Sequence, residues 1–126
     1  MIDIRSGHAA IDRYLDAGYE KVRGMSSRFA AAICGHIVRR QTELGVRGDI
    51  AEIGTFEGRF FIALALGLAE GENAVGIDVF EWPSERVMQR MTRNCIQNGL
   101  DPARFVVWKG DTREITPQML RAKLAT

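Results

Sequence analysis

From Asp49 onward, short apolar segments alternate with longer segments of helical character, and glycine or proline stands at most of the junctions. Short apolar runs of this kind are typical of buried strands, and their alternation with helices favours right-handed strand–helix–strand units. Such units build a parallel sheet that is covered on both faces. We therefore predict an α/β fold with a parallel sheet of three strands, at residues 49–54, 73–80 and 104–110, and with helices at residues 59–71, 83–99 and 117–125.

The residues before this sheet predict two helices. Apolar side chains recur at spacings of three and four along one face of the first, at Ile11, Tyr14, Leu15, Tyr19 and Val22. Ser26 or Ser27 is a suitable cap for the second, which Gly45 and Gly48 end. The apolar face of this second helix is expected to hold Phe29, Ile33, Ile37 and Leu44. We therefore expect residues 1–47 to form an N-terminal helical segment.

Length and charge limit the classes of function. The chain has 126 residues, which suits one domain, and its 17 basic and 16 acidic side chains give a net charge of +1. This balance gives no electrostatic reason to expect nucleic acid or an anionic membrane as a partner. The longest apolar run, Phe60 to Ala69, is about half of the ~20 residues that a membrane span needs. Cys34 and Cys95 stand apart from each other, as free thiols of a cytoplasmic protein would.

Polar residues and glycines mark the carboxyl ends of the three predicted strands. Glu52 precedes the turn that Gly54 and Gly58 bracket, Asp78 ends the second strand, and Asp111 follows the third. The carboxyl ends of parallel strands meet at one edge of a sheet, where ligands bind. Each feature alone has a simpler explanation as a tight turn or a helix cap. Their order and spacing together favour a ligand whose paired ribose hydroxyls bind to Asp78.

The stretches AEIGTFEG, VGIDVF and WKGDT, in that order, resemble the cofactor-binding motifs of class I S-adenosylmethionine-dependent methyltransferases. The resemblance extends from about Gly48 to Ile115. The stretch EIGTFEGRF is similar to that of small-molecule O-methyltransferases of the catechol and caffeoyl-CoA type, and equally to that of small bacterial methyltransferases with the same loop. The resemblance implies a Rossmann-like methyltransferase fold, with residues 48–126 as the N-terminal half of the domain that binds S-adenosyl-L-methionine.

The resemblance also assigns roles at the methionine end of this cofactor. Glu52 would lie near the methionine ammonium group. The backbone from Gly54 through Thr55 and Phe56 to Gly58 would contact the rest of the methionine portion. These assignments place the amino-acid part of the cofactor along the glycine turn.

At the adenosine end, the same resemblance assigns Asp78 to the ribose hydroxyls. Val79 and Phe80 would flank the adenine ring. Asp111, together with Thr112, would meet the adenine amino group. The acceptor implied by the resemblance is a small-molecule oxygen.

Two residues of the glycine turn depart from the commonest methyltransferase pattern. Phe56 stands where many members have a glycine, although the O-methyltransferase branch tolerates a larger residue there. Glu57 is charged where a small or hydroxylic residue is common. Its carboxylate would either repel the cofactor's carboxylate or point to solvent.

The methyltransferase family has seven strands, of which this chain supplies three. In that fold the first strand also pairs with the fourth, so the strand at residues 49–53 would keep an open apolar edge. We therefore expect either a methyltransferase truncated after its third strand and helix, or a second chain that covers this edge, as in a homodimer. Family members supply catalytic groups from the fourth strand onward, so the sequence assigns no catalytic residue and no metal ligand.

Two other functions fit the same fold class. A nicotinamide-dinucleotide domain is disfavoured, because Phe56 stands at the position of the second glycine of the GxGxxG motif, where the pyrophosphate approaches. A non-catalytic interaction module that kept the fold and lost the chemistry is the other alternative.

Overall fold

The computed structural model describes residues 4–124. Its strands are β1 (Ile50–Ile53), β2 (Ala74–Asp78) and β3 (Phe105–Lys109). Its α-helices are α1 (Ala9–Ala17), α2 (Arg28–Glu43), α3 (Arg59–Ala65), α4 (Val87–Gln97) and α5 (Pro117–Leu124). Single 3₁₀ turns lie at Tyr19–Lys21, Pro102–Arg104 and Thr112–Glu114. The predicted alternation of strands and helices after Asp49 is confirmed.

The three strands form one parallel sheet in the order β1-β2-β3. Ile50 lies beside Ala74, and Ala74 lies beside Phe105. Side chains alternate between the two faces of the sheet. Phe105 and Val107 pack against the main core cluster, whereas Trp108 lies against α5, where the Lys123 ammonium group is 5.3 Å from its ring. Within the described residues β1 pairs only with β2, so its other edge is open.

One hydrophobic core joins the N-terminal helices to the sheet. Ile11 and Leu15 of α1 pack with Phe61 and Ile62 of α3 and with Met91 of α4. All five side chains are at most 2% exposed. Burying a side chain of this size stabilises the fold by about 1.5–3 kcal/mol. The stripe predicted for the first helix is therefore correct, and it continues into the 3₁₀ turn that follows α1.

The predicted core face of α2 is wrong. Its supposed core residues Phe29, Ile33, Ile37 and Leu44 are 59%, 41%, 50% and 64% exposed. The helix instead turns Ala31, Ala32 and Gly35 to the core. A β-carbon on Gly35 would lie 2.9 Å from Ser6 and 3.1 Å from Ile11, so the small residues let α2 approach its neighbours closely. The orientation of α2 is therefore set by the close approach that its small residues allow, and its larger apolar side chains stay exposed.

Two predicted helix boundaries also differ from the structure. The helix after β1 ends at Ala65 and does not extend to Gly71, because the Gly67 N–H donates to the Leu64 carbonyl in a tighter turn. The next helix begins at Val87, four residues after Pro83. The predicted capping of α2 is confirmed at Ser27, whose side chain accepts a hydrogen bond from the Ala30 N–H. None of the helices between residues 4 and 124 combines the length and apolar character that a bilayer span requires.

Candidate functional site

The carboxyl ends of the three strands meet around an open cleft of about 300 Å³. It is lined by Ile53, Gly54, Ile77, Asp78, Val79, Gly110, Asp111, Thr112 and Arg113. The structure therefore brings together five residues that the sequence assigns to the cofactor: Gly54, Asp78, Val79, Asp111 and Thr112.

The glycine turn between β1 and α3 depends on backbone geometry that other residues rarely adopt. Gly54 has φ +79° and Gly58 has φ +92°, both in the left-handed region. A β-carbon on Gly58 would lie 3.2 Å from Met91, whereas one on Gly54 would meet open space. Gly58 therefore lets α3 begin close to α4, while Gly54 reverses the chain and leaves its surroundings free for a ligand.

Asp78 connects this turn to the loop after β2. Its Oδ2 accepts a hydrogen bond from the Phe56 N–H at 2.9 Å, and its Oδ1 accepts one from the Phe80 N–H at 3.0 Å. Phe56 and Phe80 have φ values of +53° and +51°, a conformation that costs a residue other than glycine about 1–3 kcal/mol. The Asp78 carboxylate offsets part of this cost. An ionised carboxylate has about four acceptor positions, so it retains capacity for ribose hydroxyls.

Three other residues that the sequence assigns to the cofactor differ in whether their side chains reach the cleft. The side chain of Phe80 is 1% exposed and packs in the core, so the structure does not bring it to the cleft as a flank for adenine. Thr55 is 4% exposed, and its hydroxyl donates to the Met91 sulfur at 2.6 Å. Val79 is 45% exposed and lines the cleft. Of these residues, only Val79 offers its side chain there.

Glu52 is a partly buried acid that has no counter-charge among residues 4–124. It lies in β1 beside Gly76 of β2, which has no side chain to shield it. Its Oε1 is buried and has no hydrogen-bond partner within the described residues. Burial, and secondarily the negative charge of Asp78, raise the pKa of Glu52 from 4.5 to about 7. Glu52 does not itself line the cleft, but it lies two residues before Gly54, which does.

The expectation that Glu57 points to solvent is wrong, whereas its effect on the cofactor's carboxylate stays a prediction. The residue is 4% exposed, so its side chain does not point to solvent. Its Oε1 lies 3.4 Å from Nη1 of Arg90 and 3.6 Å from Nη1 of Arg23, and these two cations exceed its single negative charge. Arg23 also lies 5.9 Å from the ring of Phe56. No sequence signal identifies these arginines, because they come from the loop before α2 and from α4.

Asp111 is held by a neighbour that the sequence analysis did not consider. Arg113 donates from Nε to Oδ1 at 3.0 Å and from Nη2 to Oδ2 at 2.5 Å. These contacts lower the pKa of Asp111 to about 2. The Arg113 side chain is 87% exposed, so this ion pair lies at the surface of the cleft.

In sequence, the chain matches no protein-family model and no curated protein. In structure, it is similar to the crystal structure of "a putative O-methyltransferase from Klebsiella pneumoniae", with a TM-score of 0.55 and 21% identity. The alignment covers 86% of this chain and 46% of that one. The chain has the Rossmann-like methyltransferase fold. It spans about half the length of the methyltransferase structure that it matches.

Proposed function

We propose that this chain is the cofactor-binding half of an S-adenosylmethionine-dependent methyltransferase. The observation that carries the proposal is the buried Oε1 of Glu52, which has no partner among the described residues and lies beside the glycine turn. A buried polar atom without a hydrogen bond is costly, and a ligand ammonium group would satisfy this one. The fold shared with an O-methyltransferase structure supports the same conclusion.

Charged side chains near the glycine turn support this proposal. Glu52 would bind the methionine ammonium. The cofactor's carboxylate would lie along the N–H groups of the turn, near the excess positive charge that Arg23 and Arg90 leave around Glu57. When bound, S-adenosylmethionine supplies an electrophilic methyl group on a positively charged sulfur.

At the adenosine end, Asp78 would accept hydrogen bonds from the ribose hydroxyls while it keeps both backbone contacts. Val79 would pack against the adenine ring, and Asp111 would accept a hydrogen bond from the adenine amino group after Arg113 is displaced. The proposed reaction is methyl transfer to an oxygen of a small molecule, in line with the O-methyltransferase structure that the chain resembles. No described residue is assigned as the base that removes the acceptor's proton.

Calorimetric titration with S-adenosylhomocysteine tests the proposal, with NAD as the comparison ligand. Glu52→Gln keeps the shape of the side chain and removes its charge. We expect it to weaken S-adenosylhomocysteine binding about 10- to 100-fold, the loss typical of a charge-assisted hydrogen bond. Glu70→Gln, at an exposed residue that does not line the cleft, is the matched control and should bind as the unmodified chain does.

The protonation of Glu52 provides a second readout. A group whose pKa is about 7 is about half protonated at neutral pH, and a bound ammonium group favours its ionised form. Binding at pH 7 should therefore release about half a proton, measured as a dependence of the binding enthalpy on the ionisation enthalpy of the buffer. Glu52→Gln should release none.

Two results would overturn the proposal. Binding of NAD without S-adenosylhomocysteine would indicate a nicotinamide-dinucleotide domain. Failure of both ligands to bind a chain that circular dichroism shows to be folded would favour the non-catalytic interaction module.

A further inference from the structure

A second cavity, of about 660 Å³, lies among the helices and shares no lining residue with the strand-end cleft. It runs between α1 with its following 3₁₀ turn on one side and the C-terminal half of α4 on the other. We propose that this groove, which we call the α1–α4 groove, binds a small organic anion: a phosphate or carboxylate group carried on an apolar body.

The charge of the α1–α4 groove is one-sided. Arg13 and Lys21 line it, and no acidic side chain between residues 4 and 124 does. Neither of these two side chains has an ion pair or a hydrogen bond within the described residues. By contrast, Arg5 is paired with Asp16 at 2.6 Å. The two free cations therefore favour a ligand of negative charge.

The floor of the groove is apolar. Tyr14 and Val22 are 4% and 3% exposed, and Leu66 also lines the groove. The Tyr14 hydroxyl is already used, because it donates to the Arg59 carbonyl at 2.8 Å. The floor can therefore accept an apolar body but offers it no free hydroxyl group.

The α4 wall of the groove is held in place by amide side chains. Asn98 Nδ2 donates to the Asn94 carbonyl at 2.8 Å, and Asn94 Nδ2 donates to the Glu57 carbonyl at 2.9 Å. A β-carbon on Gly18 would lie 2.3 Å from Asn98 Oδ1, so the absence of a side chain there lets α1 and α4 meet. These bonds use one of the two N–H groups of each amide, so the second N–H of each, Gln97 and the two cations remain as donors for a ligand.

Size and charge together indicate a small molecule. The cavity volume lies in the range of about 300–1,000 Å³ that is typical of small-molecule sites. Nucleic-acid binding rests on many phosphate contacts, and two cations in a chain of net charge +1 supply too few. The combination of an apolar floor with a cationic rim suits an anion attached to a ring.

The test is a titration of the full ¹⁵N-labelled chain, followed by nuclear magnetic resonance. Phenyl phosphate is the probe, and inorganic phosphate and benzyl alcohol represent its charge and its ring separately. We expect saturable shifts of the Gly18, Asn98 and Gly99 amide signals, and an affinity for phenyl phosphate at least about tenfold above that for either part.

Matched variants test the role of the two cations. Arg13→Gln and Lys21→Gln should each weaken phenyl phosphate binding about fivefold, as expected for one partly exposed charge contact. Arg93→Gln changes the net charge equally at an exposed residue of α4 that does not line the groove, and it should have no effect. Ala17→Trp would fill the groove while keeping both cations, and it should abolish saturable binding.

Three outcomes would overturn the proposal. The first is a set of shifts that maps away from the α1–α4 groove, including shifts around the strand-end cleft. The second is equal weakening by Arg93→Gln and Arg13→Gln, which would indicate general charge attraction. The third is inorganic phosphate or benzyl alcohol binding as tightly as phenyl phosphate.

Discussion

Glu52 should make the stability of this chain depend on pH in a way that one substitution removes. Its pKa is raised from 4.5 to about 7 in the folded chain. A group with a raised folded pKa contributes stability that is fully present below its unfolded pKa and is lost as the pH rises through the folded one. The window for this loss is therefore about pH 4.5 to 7. Above it, the ionised carboxylate keeps a buried Oε1 that has no hydrogen-bond partner among the described residues.

The size of the effect follows from the shift of about 2.5 pKa units, at about 1.4 kcal/mol per unit. The full loss is thus of the order of 3 kcal/mol. About 1 kcal/mol is lost by pH 5 and nearly all of it by pH 8, since proton release begins near the unfolded pKa. Glu52→Gln keeps the volume of the side chain and cannot ionise. We therefore expect its stability relative to the unmodified chain to rise by about 2.5 kcal/mol between pH 5 and pH 8.

Urea unfolding of both chains, followed by circular dichroism at several values of pH, measures this difference in stability. Glu52→Gln introduces an amide whose cost of burial is the same at every pH. The other titrating groups are common to both chains. Neither contribution therefore affects how the difference in stability between the two chains changes with pH. Glu70→Gln, at an exposed position, is the control and should show a flat difference. A difference for Glu52→Gln that is equally flat would refute the argument, because Glu52 would then titrate alike in the folded and unfolded chains.

Three further predictions concern the loops, the ligand and the core. Asp78→Ala should destabilise the fold by about 1–3 kcal/mol and speed hydrogen exchange at the Phe56 and Phe80 amides, because it removes the acceptor of both N–H groups. Affinity for S-adenosylhomocysteine, measured calorimetrically, should rise between pH 6 and pH 8, because the carboxylate proposed to bind its ammonium group ionises in this range; a constant affinity would contradict that role. Phe61→Ala should lower the free energy of unfolding by about 3–5 kcal/mol, because the Phe61 ring is fully buried. Phe29→Ala should change it by less than about 1 kcal/mol, because the Phe29 ring is exposed, and equal losses in urea titrations would contradict the observed orientation of α2.

The parts of the fold that the sequence predicts are those set by local patterns. Gly54 and Gly58 mark the turn after β1 because few other residues tolerate a left-handed backbone. Apolar runs mark the strands because strands of a parallel sheet are typically covered on both faces. The failure at α2 has a physical cause, since Ala31 and Gly35 set its distance from α1 while the larger apolar stripe lies exposed. Hydrophobic periodicity shows which side of a helix is apolar, but it does not show which neighbours will cover that side.

The candidate site likewise has a part that the sequence predicts and a part that it does not. The sequence places Asp78 and Asp111 at one edge of the sheet, because the ends of neighbouring parallel strands must meet there. It does not place Arg23 or Arg90 beside Glu57, since those contacts join residues from three separate elements. Contacts between distant parts of the chain follow from the packing of helices, which local patterns do not specify.

Glu52 and Asp78 differ in what they indicate about function, although both are acids at strand ends. Asp78 accepts two backbone hydrogen bonds that hold the strained residues Phe56 and Phe80, so the folded chain needs it even without a ligand. Its presence alone therefore fits a purely structural role. Glu52 makes no such contact through its buried Oε1 within the described residues, and burial raises its pKa, so the fold disfavours its ionised form. A local cost without a structural gain is typical of functional sites, so Glu52 is the stronger indication that this edge of the sheet binds a ligand.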